Sequence, residues 1–167
     1  MIKKDKDILE SAVDRVAEDM CLAARTAPKA KGVDNIVAAV VDGDTIDKLS
    51  KEMLRLKRDR DAANIRQALR IVLRGTKTGP MGLKPCALCG FPDCGSKPAD
   101  VPCAFNPCDL GIAVGSAVSV AADHRADNRV MYSIGLAAVK LGLLGKDVKM
   151  AMGIPLSATG KNPFFDR

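Results

Sequence analysis

The chain has 167 residues, 47% hydrophobic and 28% charged, with a formal net charge of +6. It is long enough to bury a real core and short enough for one globular domain spanning 1–167. The opening MIKKDKDILESAVDRV has no apolar stretch behind its lysines, and the longest weakly polar run, Leu110 to Ala122, is too short to span a bilayer. Neither a secretory signal nor a membrane span is expected, and the expected location is the cytoplasm.

Asp5 to Thr26 carries Leu9, Val13, Val16, Met20 and Ala24 at helical spacing, which predicts an amphipathic helix stopped near Pro28. The segment PKAKGVDN is a loop, and IVAAVV (Ile36 to Val41) is a short apolar run bounded by DGD that reads as a buried strand. Asp44 or Thr45 is expected to cap a second helix through about Leu56, with Ile46, Leu49, Met53 and Leu56 on one face. RLKRDRDAANIRQ holds a turn and a short helix, and ALRIVLRG (Ala68 to Gly75) reads as a second strand.

Residues 76–108 are punctuated by Gly79, Pro80, Gly82, Pro85, Gly90, Pro92, Gly95, Pro98, Pro102 and Pro107, which forbid any long regular element. A loop of this length inside a compact domain needs an organiser other than packing. Beyond it, a helix capped by Asp109 is expected, its Gly111 and Gly115 permitting close approach of another backbone. A further helix follows, closed by Gly142 or Gly145. DVKMAMGIPL reads as a third strand, and the whole as a layered α/β domain.

Five of the six cysteines lie in that loop. Without an exporting signal, thiols read as metal ligands. A two-residue gap between Cys86 and Cys89 lets one turn aim two thiolates at a common centre, its amides stabilising the negative sulfur. A close pair, a near third and a more distant fourth meet the demand of a [4Fe–4S] cluster, giving the set Cys86, Cys89, Cys94 and Cys103, with Cys108 a spare or the fourth ligand in place of Cys103. Four thiolates also suit structural zinc, which makes the chain a zinc-stabilised binding module contacting nucleic acid or protein, and thiol redox chemistry is a third reading. Cys21 reads as core.

CALCGFPDC resembles the C-x2-C-G-x3-C signature of the compact 4Fe–4S domain. Together with PCAFNPCDLGIAVGSAV, DNRVMYSIGLAAVKLG and GIPLSATGKNPFFDR, it is similar to a family of ferredoxin-domain-containing proteins of anaerobic bacteria and archaea, over nearly the whole chain. That resemblance implies a cluster on the loop cysteines and names no reaction. AARTAPKAKGVDNIVAAVV, with YSIGLAAVKLGLLG and GIPL, also resembles the nitroreductase pattern. It implies a three-layer α/β (α+β) domain, a small sheet flanked by helices, with the cysteine-rich loop inserted, paired as a homodimer with FMN at the subunit interface.

In that setting Arg25, Lys29 and Lys31 are candidates to clamp a flavin phosphate, or are charges that favour a helix end, and Asn35 contacts a ring edge or shapes the turn. The basic stretch Arg55, Lys57, Arg58, Arg60, Arg66, Arg70 and Arg74 lacks interleaved aromatics and reads as a solvated helix face, or a surface for an acidic redox partner, in preference to a nucleic-acid surface. His124, the only histidine, reads as a helix-terminal residue. Phe164 and Phe165 are expected to pin the tail to the core or to a second subunit.

Overall fold

A computed structural model describes residues 2–165. In chain order it contains α1 (Asp5–Thr26), a 3-10 turn at Ala30–Gly32, β1 (Ile36–Val41), α2 (Gly43–Arg55), α3 (Asp59–Ile65), β2 (Arg70–Lys77), α4 (Phe105–Asp123), β3 (Asp127–Asn128), α5 (Tyr132–Lys140) and β4 (Val148–Ser157). The four strands form one antiparallel sheet in the order β1-β2-β4-β3.

Alternation along β2 sorts the core into two layers. Val72 joins Val13, Val16 and Met20 of α1 and Leu110, Ala113 and Ala117 of α4 on one face. Ile71 and Leu73 meet Leu49 and Met53 of α2, Ile65 of α3 and Ile134 and Ala138 of α5 on the other. Helices therefore cover both faces, as the layered reading expects. The tail is pinned too: Phe164 is fully buried, its carbonyl accepts from Arg129 Nη1 at 2.9 Å, and Arg129 stacks 5.1 Å from the Phe165 ring.

Boundaries differ from the sequence reading where backbone groups set them. The second helix starts at Gly43, because the Asp42 carbonyl accepts the Thr45 and Ile46 N–H groups at 2.9 and 3.3 Å. The third long helix starts four residues before Asp109: Pro107 sits in its first turn, where no N–H is required. Asp109 is instead buried inside the helix, its carboxylate accepting the Ala30 N–H at 3.1 and 3.2 Å, so it ties α4 to the 3-10 turn that follows α1. The extra turn makes α4 long and apolar enough, by length and composition, to cross a membrane. In this fold its Leu110, Ala113, Ala117 and Ala121 fill the core. The short β3 lies in a stretch read as helix. Gly142, at φ 68°, follows the last turn of α5 and donates to Val139 at 3.1 Å, as a helix-ending glycine does.

Two glycine expectations separate. At Gly111 and Gly115 a methyl group meets nothing within 4 Å, so no backbone approaches them within the chain. The close approach is elsewhere: a Cβ on Gly135 falls 1.8 Å from the Ala151 carbonyl oxygen, and one on Gly153 falls 2.1 Å from Ile134 Cγ2. Helix α5 lies directly on β4 through these two positions.

The basic stretch is dispersed by the fold. Arg70 forms an ion pair with Asp14 of α1, Arg66 lies 3.7 Å from Asp47 and Arg55 3.5 Å from Glu52. Arg74 is not on the surface at all. It lies between Ala38 of β1 and Met152 of β4 in the centre of the sheet, on the Val72 face, at 0% exposure. Its Nε and Nη2 have no hydrogen-bond partner among the described residues.

Candidate functional site

Where β2 ends and α4 begins, the chain leaves regular structure from Thr78 to Ala104. This segment carries Cys86, Cys89, Cys94 and Cys103, whereas Cys108 falls in the first turns of α4 and is exposed. Short backbone devices shape each thiol-bearing turn. The Gly90 N–H donates to Ala87 O at 2.9 Å, closing the Cys86–Cys89 turn with Ala87 at φ 53° and Gly90 at φ 87°; the glycine is required there because its left-handed backbone carries no side-chain penalty. Asp93 Oδ1 accepts the Gly95 and Ser96 N–H groups at 2.7 and 2.8 Å, folding the chain around Cys94. Lys97 donates to the carbonyls of Pro98 and Val101.

Both ends of the loop are held by Asn106. This side chain is 1% exposed; its Oδ1 accepts the Gly79 N–H at 3.2 Å and the Cys103 N–H at 3.1 Å. The loop's entry and exit are thus held by one amide group. Its Nδ2 has no partner among the described residues, which leaves a buried donor unsatisfied beside Cys103, an arrangement native structures rarely leave unfilled. Cys103 is buried, while Cys86, Cys89 and Cys94 are half-buried. A cavity of about 290 Å³ opens in the loop between Thr78, Pro80, Cys94, Lys97 and Val101.

The thiols are not gathered: among the described residues, no three His, Cys, Asp or Glu side chains stand together to hold one metal ion. The donors nonetheless suit iron or zinc. All six cysteines are free, the segment has no secondary structure to break, and the stranded Asn106 amide supplies an N–H next to the one buried thiol. Cys21, half-buried, packs against the α1/α4 core.

The phosphate candidates cluster where α1 ends. Arg25 Nη1 pairs with Asp34 and reaches Ile36 O at 3.3 Å. Lys31 Nζ donates to Met81 O at 3.2 Å, and Asn35 Nδ2 lies 3.8 Å from the Met81 sulfur, so both anchor the start of the cysteine loop. The Lys29 ammonium is spent inside the structure: it donates to the carbonyls of Ala24, Arg25 and Ala27 at 2.9, 2.6 and 2.9 Å, satisfying the end of α1. His124 is exposed, 3.9 Å from Asp19.

Burial is the largest influence on Asp34 and raises its pKa. The Arg25 hydrogen bond, the Ile36 N–H and the Lys29 ammonium outweigh it and hold the carboxyl below its usual 3.8. A depressed pKa adds stability that is present above the unfolded value and lost as pH falls through the folded one. Acid unfolding followed by circular dichroism should therefore show Asp34→Asn less stable than wild type at neutral pH, with the difference closing below about pH 4.

A second feature lies between α4 and α5. Pro107, Leu110 and Gly111 of α4, Tyr132 and Leu136 of α5 and Met152 of β4 line an apolar groove of about 540 Å³. Tyr132 and Val130 stand exposed at its rim.

Sequence reasoning missed Arg74 and Asn106. The signal for Arg74 was its place in RIVLRG, where alternation puts it on the same face as the buried Val72. Nothing in the sequence marks Asn106 as the clamp, since one of its two partners, Gly79, is 27 residues away.

A family described as "Uncharacterized protein containing a ferredoxin domain" matches residues 99–167, a span that includes Cys103 and Cys108. A protein from Archaeoglobus fulgidus, described as "Uncharacterized protein", is 42% identical over 182 aligned positions covering 100% of this chain and 98% of that one. Among solved structures, a nitroreductase with bound FMN from Desulfitobacterium hafniense is 15% identical, with a TM-score of 0.60, over 100% of this chain and 85% of its own. The nitroreductase CinD from Lactococcus lactis, in complex with nicotinic acid, is 16% identical, with a TM-score of 0.62, over 99% and 86%. At these identities the likeness shows the fold alone, a nitroreductase-like α/β arrangement. The chain belongs to one family with the Archaeoglobus fulgidus protein, and the match of its residues 99–167 to the family described as containing a ferredoxin domain points to redox function.

Proposed function

We propose that this protein is an iron–sulfur redox protein that binds one [4Fe–4S] cluster through Cys86, Cys89, Cys94 and Cys103 and exchanges electrons with FMN or with a redox partner protein. The observation that carries this reading is the irregular segment from Thr78 to Ala104, which holds four thiols and is clamped at both ends by Asn106. Cys103 is preferred to Cys108 as the fourth ligand because its N–H is held by that clamp, whereas Cys108 is an exposed helix residue. In the proposed site Cys86, Cys89 and Cys94 close in on Cys103.

When bound, the cluster takes up and releases one electron at a time. The chain's part is to supply the thiolates, to aim backbone and side-chain N–H groups at sulfur, and to keep water from the buried side of the site.

FMN is the second part of the reading, supported by the nitroreductase-like fold. Arg25 and Lys31 bring positive charge to a loop, as a phosphate requires. Asn35 offers an amide for the ring edge, and Lys29 positions this end of α1 instead of touching the ligand. A second copy of the chain covering the α4/α5 groove completes a homodimer with the flavin between subunits. The expected location is the cytoplasm, where thiols stay reduced.

Purification without oxygen tests the whole reading. A brown protein that bleaches in air, and that releases a yellow flavin on heating, is the expected result. A colourless protein carrying zinc contradicts the cluster, and a brown one without flavin contradicts the FMN arm.

A further inference from the structure

Among the described residues, no ion pair is found for the arginine in the centre of β2. A guanidinium does not give up its proton inside a protein, and burying a cation without a partner is strongly unfavourable. Yet Arg74 is fully buried, and its Nε and Nη2 have no partner among the described residues. Carboxylates of the helices that cover this face, and of the turn before β1, are committed elsewhere: Asp109 to the Ala30 N–H, Asp34 to Arg25 and the Ile36 N–H, and Asp14 to Arg70. A buried cation of this kind calls for an anion that arrives with a ligand.

Placement says which ligand. Alternation along β2 puts Arg74 on the α1/α4 face, with Val72 and Thr76. The strand ends at Lys77, the cysteine segment leaves from there, and Gly79 is held by Asn106 at the head of α4. Asn106 also holds the Cys103 N–H and has the other stranded buried donor, Nδ2. All the unsatisfied buried side-chain donors identified among the described residues thus belong to Arg74 and Asn106, one in the middle of β2 on the face that α4 covers and the other at the head of α4, bonded to both ends of the loop that leaves β2. Four thiolates around an iron–sulfide core carry net negative charge, which increases on reduction.

We propose that Arg74 is the buried counter-charge of the cluster and that the Asn106 amide donates to sulfur at Cys103. The proposal rests on the cluster assignment above. It makes Arg74 a positioning and tuning residue: its charge favours the more negative, reduced state and so raises the potential, and it couples cluster binding to the stability of the sheet.

The test uses the full chain, handled without oxygen, as wild type, Arg74→Met and Arg74→Lys. In the metal-free state Arg74→Met should be more stable to denaturant than wild type, because an unpaired charge has been replaced by an apolar side chain of similar length. After reconstitution its midpoint potential should fall by about 59 mV or more, a tenfold change in a one-electron equilibrium, while Arg74→Lys stays closer to wild type. If Arg74→Met takes up no iron and sulfide while Arg74→Lys does, the charge is needed for loading and the proposal stands; loss in both overturns it. Equal potentials in loaded wild type and Arg74→Met overturn it and leave the cluster assignment intact. A wild type that accepts no sulfide removes the assignment and the proposal together. Stabilisation of the metal-free wild type by FMN or inorganic phosphate, lost in Arg74→Met, gives Arg74 to a phosphate and also overturns it.

Discussion

Replacing Cys86 or Cys94 with serine is expected to reduce bound iron and sulfide at least tenfold, whereas Cys21→Ser leaves both at the wild-type level. A hydroxyl is a much poorer ligand for iron than a thiolate, and these positions sit in turns that the backbone already shapes through the Gly90 and Asp93 hydrogen bonds. Cys21 packs against the α1/α4 core and lies outside the cysteine segment. Cys103→Ser and Cys108→Ser make the finer distinction: loss at Cys103 with retention at Cys108 is expected, because Cys103 is buried and clamped by Asn106 while Cys108 is exposed on α4. The serine variants should keep their secondary structure, since the segment from Thr78 to Ala104 contributes only Met81 and Cys103 to the buried apolar residues. Limited proteolysis should instead find new cleavage inside that segment. Equal metal content in the Cys86, Cys94 and Cys21 variants contradicts the ligand assignment.

The second large effect concerns the fold that carries the loop. Gly135→Ala should destabilise the protein by about 3 kcal/mol or more, because the new methyl meets backbone and no flexible side chain can yield to it. A Cβ there lies 1.8 Å from Ala151 O and 2.3 Å from Ala151 C, so α5 must lift from β4. In a domain of this size that corresponds to a Tm lower by about 10 °C. Gly115→Ala is the control. It lies in the interior of α4 with open space around it, and alanine there should stabilise by about 0.5–1 kcal/mol through helix propensity. Thermal or denaturant melts of the two variants check the contrast. Gly111 lines the α4/α5 groove, and a loss of stability in Gly111→Ala is the result expected if a second subunit covers that groove.

The contrast also shows what a sequence can convey. Periodicity carried α1 and β1 to their observed limits, because Val13, Val16 and Met20, and the run from Ile36 to Val41, record burial directly. Proline and glycine density marked the cysteine segment as irregular. What escaped depends on contacts between distant residues. GIAVG and SIGLA look alike as sequences, yet Gly135 lies against β4 and Gly111 faces a groove. Asp109 looked like a cap because it precedes an apolar run; the Ala30 amide recruits it as a buried acceptor instead. Lys29 looked available to a phosphate, and the carbonyls at the end of α1 claim it. Arg74 was grouped with surface arginines by its neighbours in the chain, although its strand partners Ala38 and Met152 enclose it. The cysteines were legible as a set, and the Asn106 clamp that ranks Cys103 above Cys108 was not.

The claim on which the rest depends is that iron and inorganic sulfide occupy the cysteine segment. It is tested most directly by measuring iron and acid-labile sulfide in the full chain after reconstitution without oxygen. The account predicts about four of each per chain, in keeping with one cubane cluster. Protein that holds no acid-labile sulfide, whatever other metal it carries, contradicts it.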